Sequence, residues 1–508
     1  MSSLILMHSG GLTTSDVESV ARRGRPVEIS PDSIAAMLRS REVVDSCLTD
    51  GLAHYGINTG FGSLARQRID DADVAALQRN LVRSHSAGAG ESLPVDVVRG
   101  MMLLLAASLC RGMSGVRPVV AETIVALLNA GLTPAVPETG SVGASGDLAP
   151  LAHVALACIG EGAFLSPSGH RPARQALAQA GVSPLTLQAK EGLAMINGTH
   201  LMASQGALLI ADFDRVSSAA VASASMSIDA CRATDSFLDA RAHAARGHPD
   251  PADVAARMRG CLDGSAILPS HRRDDPRVQD PYSFRCAPAV LGSAISAAGH
   301  LRTAVERELS AVTDNPLVFP AGHLGRDASV VSAGNFHGMP LAIPLDLLAV
   351  AISHLAGIAE RRVFWMLAAF EKESRLPHYL TPSPALHSGL MIAQYTAAAC
   401  CNEIAGLSMP ASVTNISTSA GIEDYNSFGP RAAAKARRAL DLAATVVAIE
   451  FLCAAQGIEY QRPLRTGQRL EELHAKIRRV VPRLEADRPP SPDIEALRVL
   501  VLSGDLSA

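Results

Sequence analysis

Apolar positions change their rhythm near residue 200. Beyond it they recur at helical spacing through five long Ala/Leu-rich stretches, 201–232, 287–312, 340–371, 384–408 and 429–456. A period of three to four places such positions on one helix face, so these stretches predict long helices. Polar loops around 243–252, 264–284 and 313–336 separate them. Before residue 200, short helical segments alternate with Gly-rich loops at 55–62 and 86–91, and a Pro-Ala-Val-Pro turn covers 134–137. Alternation with a period of two, the mark of a strand, is scarce. The pattern predicts a mainly α fold. A smaller N-terminal domain, residues 1–205, precedes a bundle of long helices, residues 206–508, and a turn from Pro489 leads to one short helix.

Composition sharpens this picture at a few points. The 508 residues are 48% hydrophobic but only 4% aromatic, and Ala dominates many segments. Ala is the best helix former and lets helix axes approach closely. The charges, 45 basic against 49 acidic, give no polyanion-binding stripe, so no nucleic-acid partner is expected. The most apolar stretches are 101–110, 342–358 and 440–456. The first is too short to span a bilayer, and the others carry Asp346 and His354, or Asp441 and Glu450, so buried helices rather than membrane spans are expected. The opening Met-Ser-Ser-Leu-Ile-Leu-Met-His lacks a basic n-region and a cleavable apolar segment, so no secretion signal is expected. Nine scattered cysteines without a Cys-x-x-Cys pair point to reduced thiols and a cytoplasmic location. Sixteen histidines show no His-x-x-x-His or His-Glu-x-x-His spacing, so no metal is expected.

Candidate chemistry concentrates in residues 140–153, Gly-Ser-Val-Gly-Ala-Ser-Gly-Asp-Leu-Ala-Pro-Leu-Ala-His. Ala144, Ser145 and Gly146 are the residue types a backbone needs to close on itself. Without a Cβ, Gly146 can bring its amide nitrogen onto the Ala144 carbonyl in a strained turn. Loss of water from that adduct closes a five-membered ring. Loss of a second water from the Ser145 side chain leaves an exocyclic methylene, giving a 4-methylidene-imidazol-5-one (MIO), an electrophile no encoded side chain matches. The same residues also suit a plain turn and a helix start capped by Asp147.

The fourteen-residue string resembles the active-site signature of the MIO-dependent aromatic amino acid ammonia-lyases and aminomutases, nearest to the histidine-specific enzymes. Further strings match in the same order: His54-Tyr-Gly-Ile-Asn-Thr-Gly-Phe-Gly, Glu191-Gly-Leu-Ala-Met-Ile-Asn-Gly-Thr, Gln279-Asp-Pro-Tyr-Ser-Phe-Arg-Cys, Thr313-Asp-Asn-Pro-Leu and Gly334-Asn-Phe-His-Gly. The resemblance implies that Tyr55 is the base that removes the substrate β-proton, a task for which a phenol with a pKa near 10 needs help from its surroundings. It implies that Asn197 holds the imidazolone oxygen through its uncharged amide, and that Arg285 grips the α-carboxylate with its planar fork. Tyr282 and Gln279 would support the substrate or ring, and Phe336 would line the pocket. His85, Glu423 and His200 occupy positions that read the substrate side chain. The implied reaction is release of ammonia from an aromatic L-amino acid, in a homotetramer whose sites draw on three subunits, with no external cofactor. Read without the family, Tyr55 is a loop aromatic, Asn197 a helix cap, Arg285 a surface ion-pair partner and His85 an ordinary loop or core histidine.

Glu423, in Ser419-Ala-Gly-Ile-Glu-Asp-Tyr-Asn, favours histidine, because a carboxylate accepts from an imidazole N–H. His200 stands where the histidine enzymes carry Gln, Ala287-Pro-Ala289 replaces Gln-Pro-Gln, and Gly421, Ile422, Tyr425 and Asn426 differ around Glu-Asp. Tyrosine, phenylalanine or another aryl amino acid, and a 2,3-aminomutase reaction, therefore stay open. A fumarase-type lyase is disfavoured by the lack of a Gly-Ser-x-x-Met-x-x-Lys-x-Asn string, and a non-catalytic helical scaffold by the joint presence of Tyr55, Ala144–Gly146, Asn197 and Arg285.

Overall fold

The structure, a computed structural model, describes residues 2–65, 67–273 and 275–508. It is mainly α, and the five long stretches form helices His200–Ala230, Ala287–Glu308, Met339–Ala368, Met391–Leu407 and Gly429–Glu459. The fourth begins later than expected, because residues 378–390 run through turns and the Pro384–His387 bridge. The short C-terminal helix is Ser491–Ser503.

Two compact units can be distinguished. One comprises residues up to Ala211 with Leu301–Leu345 and Ala411–Ala434; the other comprises Asp212–His300, Asp346–Pro410 and Lys435–Ala508. These units interleave along the chain, whereas the expected division at residue 205 cuts it once. A helix rises about 1.5 Å per residue, so helices of 22–31 residues outrun a single small core, and four of them have residues in both units.

The first unit begins with α1 (Thr14–Arg23), α2 (Pro31–Thr49), α3 (Val74–His85), α4 (Val95–Cys110), α5 (Pro118–Asn129), α6 (Leu148–Cys158), α7 (Ala173–Ala180) and α8 (Glu191–Ile196), followed by the start of α9 (His200–Ala230). Thr13 opens α1 with a reciprocal capping box to Asp16. α4 is apolar all round and buried from Val97 to Cys110, as the centre of a helical core must be. α3, α6 and α8 pack on one another. Among its described residues this unit holds four two-stranded sheets; the last is an antiparallel pair with Leu317 opposite Val331 and Phe319 opposite Ser329.

The regular elements of the second unit are all helices among its described residues, joined by turns and loops. Its centre holds a fully buried ion pair, in which Arg362 Nε and Nη2 donate to the Glu450 carboxylate at 2.5 and 2.9 Å while Ser223 and Ser227 hydroxyls complete the shell. Two helices, Met339–Ala368 and Gly429–Glu459, are long and apolar enough to cross a bilayer, but 61% and 89% of their most apolar windows are buried in protein. Among the described residues all nine cysteines are free thiols, seven of them buried.

Candidate active site

Ala144, Ser145 and Gly146 sit on a loop held at both flanks. The Phe428 N–H donates to the Val142 carbonyl at 2.9 Å, and the Ser427 hydroxyl and Gly338 N–H both donate to the Gly143 carbonyl, at 2.9 and 3.2 Å. The Ser141 hydroxyl donates to the Gly146 carbonyl at 3.1 Å. Gly146 adopts φ 72° and pairs with Gly198, and a Cβ on Gly146 would lie 2.1 Å from the Gly198 carbonyl oxygen. Only glycine fits that conformation and that space.

α6 starts at Leu148, as the sequence suggested, yet the Asp147 side chain does not cap it. Its Oδ2 instead accepts from the Leu201 and Met202 N–H groups at 2.9 and 3.2 Å, in the first turn of α9. Those amides have no partner within their own helix, so the buried carboxylate satisfies them. Burial pushes the Asp147 carboxyl up to about 7, against the opposing pull of these hydrogen bonds.

Beside this loop lies a cavity of about 510 Å³, formed entirely within the first unit and the size of a small-molecule site. Its wall brings together Tyr55, His85, Ala144, Ser145, Asn197, Phe336 and Glu423. Asn197 caps the C-terminal end of α8; its Nδ2 donates to the Asn315 carbonyl at 3.0 Å, and its buried Oδ1 has no partner. His85 ends α3, where Nδ1 meets the Leu81 carbonyl at 3.0 Å. That contact assigns the proton to Nδ1 and leaves Nε2 as the acceptor. Burial lowers the His85 pKa, with the Leu81 carbonyl and Glu423 opposing, so the ring is neutral. Glu423 is held at the loop through the Thr418 backbone N–H, 2.8 Å from its carbonyl. Burial raises the Tyr55 pKa above the phenol value; the Gly62 backbone opposes that rise, and the Glu423 and Asp314 charges add to it.

Gly146 stands behind the lining beside Gly198, and four further sequence candidates do not line this cavity either. His200, the first residue of α9, is buried with both ring nitrogens unpartnered, and burial lowers its pKa to about 4. Gln279, Tyr282 and Arg285 belong to the second unit. There Phe284 is buried and the Arg362 guanidinium donates to the Ser283 carbonyl at 3.0 Å, pinning the turn Tyr282–Arg285. Tyr282 is 69% exposed, the Arg285 guanidinium stacks 4.4 Å from its ring centre, and the buried Arg285 Nε has no partner. Asn315, His337 and Tyr425 also line the cavity, although their residue types alone assigned them no task there. Cys47, Asp50 and His54, which follow no paired-histidine spacing, also bring their donor atoms within 4.8 Å of one another. Local contacts account for that group: His54 Nε2 meets Asp50 at 2.7 Å just past the end of α2, and Cys47 packs in an apolar cluster with Val44, Ile57 and Val74.

Residues 12–479 match the profile described as aromatic amino acid lyase, and the chain belongs to that family of carbon–nitrogen lyases. It is 46% identical to a histidine ammonia-lyase of Anaeromyxobacter sp. (strain K) over 510 aligned residues, covering 99% of each chain. Among solved structures, the histidine ammonia-lyase of Trypanosoma cruzi is 38% identical with TM-score 0.90, over 99% of this chain and 94% of that one. The tyrosine aminomutase of Streptomyces globisporus is 33% identical with TM-score 0.93, over 99% and 97%.

Proposed function

We propose that the protein is a histidine ammonia-lyase, converting L-histidine to urocanate and ammonia through an MIO formed by Ala144, Ser145 and Gly146. The observation that carries this reading is the single cavity wall shared by Tyr55, His85, Ala144, Ser145, Asn197 and Glu423. The residues fit such a ring: Gly146 leaves no room for a Cβ, Ser145 borders the cavity, and the Asn197 amide lies in the same wall. Asn197 would hold the ring oxygen, and Ser141, Ser427 and Gly338 would hold the loop around it. Such a ring would supply an electrophilic methylene, the chemistry needed to turn the substrate amine into a competent leaving group.

This chain's own residues do the rest. Tyr55 takes the β-proton, and the electron pair left on the β-carbon forms the double bond as the α-carbon–nitrogen bond breaks. Glu423 and the free Nε2 of His85 accept ring N–H groups of an imidazole, donors that a phenyl ring lacks. A tyrosine lyase or 2,3-aminomutase is the second reading, favoured by the capacity of a phenol hydroxyl to donate to either of these acceptors.

The active assembly is a homotetramer, with Gln279, Tyr282 and Arg285 brought to the cavity by neighbouring subunits. The exposed, stacked Tyr282–Arg285 pair and exposed apolar side chains such as Leu386, Met409 and Val413 support that arrangement. Free thiols throughout suit a cytoplasmic location. Peptide mass spectrometry tests the ring: the peptide containing Ala144–Gly146 is expected to be two waters light, and Ser145→Ala to remove the deficit and the activity together. An unmodified peptide from active protein would overturn the reading.

A further inference from the structure

α8 carries opposite charges at its start and Asn197 at its end. Glu191 is fully buried, and Arg117 Nε donates to it at 2.7 Å. Lys190, one residue earlier, is also fully buried, and its Nζ donates to Asp314 Oδ2 at 2.6 Å. Its backbone is left-handed at φ 73°, a conformation that costs a non-glycine residue energy. The other Asp314 oxygen, Oδ1, accepts from the Asn315 backbone N–H at 2.6 Å. The Asn315 carbonyl takes the Asn197 amide, and the Asn315 side-chain oxygen takes the Ala333 N–H at 2.7 Å, three residues before Phe336. A continuous line of hydrogen bonds, charge-assisted at Asp314, therefore runs from Lys190 to Asn197 and to the strand end before Phe336.

Stability alone is a poor account of that line. Desolvating an ammonium and a carboxylate costs several kcal/mol per ion, and an apolar pair of similar volume is often no less stable. What the pair does provide is direction. Each Asp314 oxygen has one assigned donor, so the Asn315 peptide has one orientation, and the Asn197 amide inherits it.

We propose that the Lys190–Asp314 pair is a positioning device for the reaction: it fixes Asn197 through the Asn315 peptide, and it keeps the Asp314 charge compensated near Tyr55. The inference rests on the lyase reading above. The titratable groups that share the cavity with Tyr55 are His85 from α3, His337 from the 334–338 loop, and Glu423, Asp424 and Tyr425 from the 419–425 loop. Asp314 and Glu423 both raise the proton affinity of Tyr55, and Lys190 is the cation bonded to Asp314.

The test compares the full-length protein with K190M, D314N and the double variant, after each is checked for melting temperature and for the two-water deficit at Ala144–Gly146. K190M is expected to lose about 100-fold in kcat, the scale of a misplaced positioning group, with little change in KM. The rising limb of kcat/KM against pH, which reports the free enzyme's base, should move to higher pH in K190M, where Asp314 is uncompensated. It should move to lower pH in D314N, where Lys190 is uncompensated, and return to the wild-type position in the double variant. A purely structural pair would lower activity in both single variants without opposite shifts. Limbs that stay in place, or move the same way, overturn the inference. Should K190M not fold, D314N and the double variant carry the same comparison. Failure of the lyase reading looks different: wild-type protein then releases no ammonia from any aromatic amino acid, and the inference falls with it.

Discussion

Tyr55 carries the heaviest chemical demand. Burial and the nearby Glu423 and Asp314 charges hold its proton more tightly than in water, while the Gly62 backbone opposes them. Acting as a base at neutral pH, as proposed, therefore calls for positive charge beside Tyr55. Tyr55→Phe is expected to lower the rate of ammonia release by about 10³-fold, within the usual range for a general base, while leaving the two-water deficit intact. A loss below about tenfold would place the base elsewhere. At this scale much of the site was legible, because Tyr55, Asn197, Phe336, His85 and Glu423 each lie in a string whose residue types are tied to a chemical task. His200 was not. It follows Thr199 in the chain, but α9 starts there and its ring is buried away from the cavity wall, an orientation that chain order does not encode.

Among elements, the 140–147 loop and the first turn of α9 act as one. The sequence shows a helix start at Leu148 and an acidic residue before it; it does not show that the acid serves a helix beginning 53 residues later. Caps formed across such a distance leave no local signal, whereas the long helices leave an apolar period that reads off directly. The pairing has a measurable consequence. The folded-state pKa of Asp147, about 7, exceeds the value near 3.9 of an unfolded carboxyl, so the folded chain holds this proton more tightly. The resulting stability is complete below about pH 4 and is lost as pH rises toward 7. The melting temperature of the wild type minus that of Asp147→Asn should therefore fall across that interval. A difference that is constant with pH would show that Asp147 is ionised throughout.

For the whole molecule, the two interleaved units explain why chain order suggested a single boundary. Helix length is visible in the sequence, but which half of a 31-residue helix joins which core depends on contacts between distant segments. The cavity draws only on the first unit, while Tyr282 and Arg285 belong to the second, and the proposed assembly completes each site with residues of neighbouring subunits. Mixing Tyr55→Phe with Arg285→Ala protein, after reversible dissociation, should recover activity that neither variant has alone, because some mixed sites receive both intact residues. No recovery in tetramers shown to be mixed would put both residues in one subunit's site. The most direct measurement of the central claim is product formation from L-histidine by the purified protein. Ammonia and urocanate in equal amounts, with little release from phenylalanine or tyrosine, is the predicted result. Release from tyrosine with none from histidine, or a β-amino acid product, would contradict it.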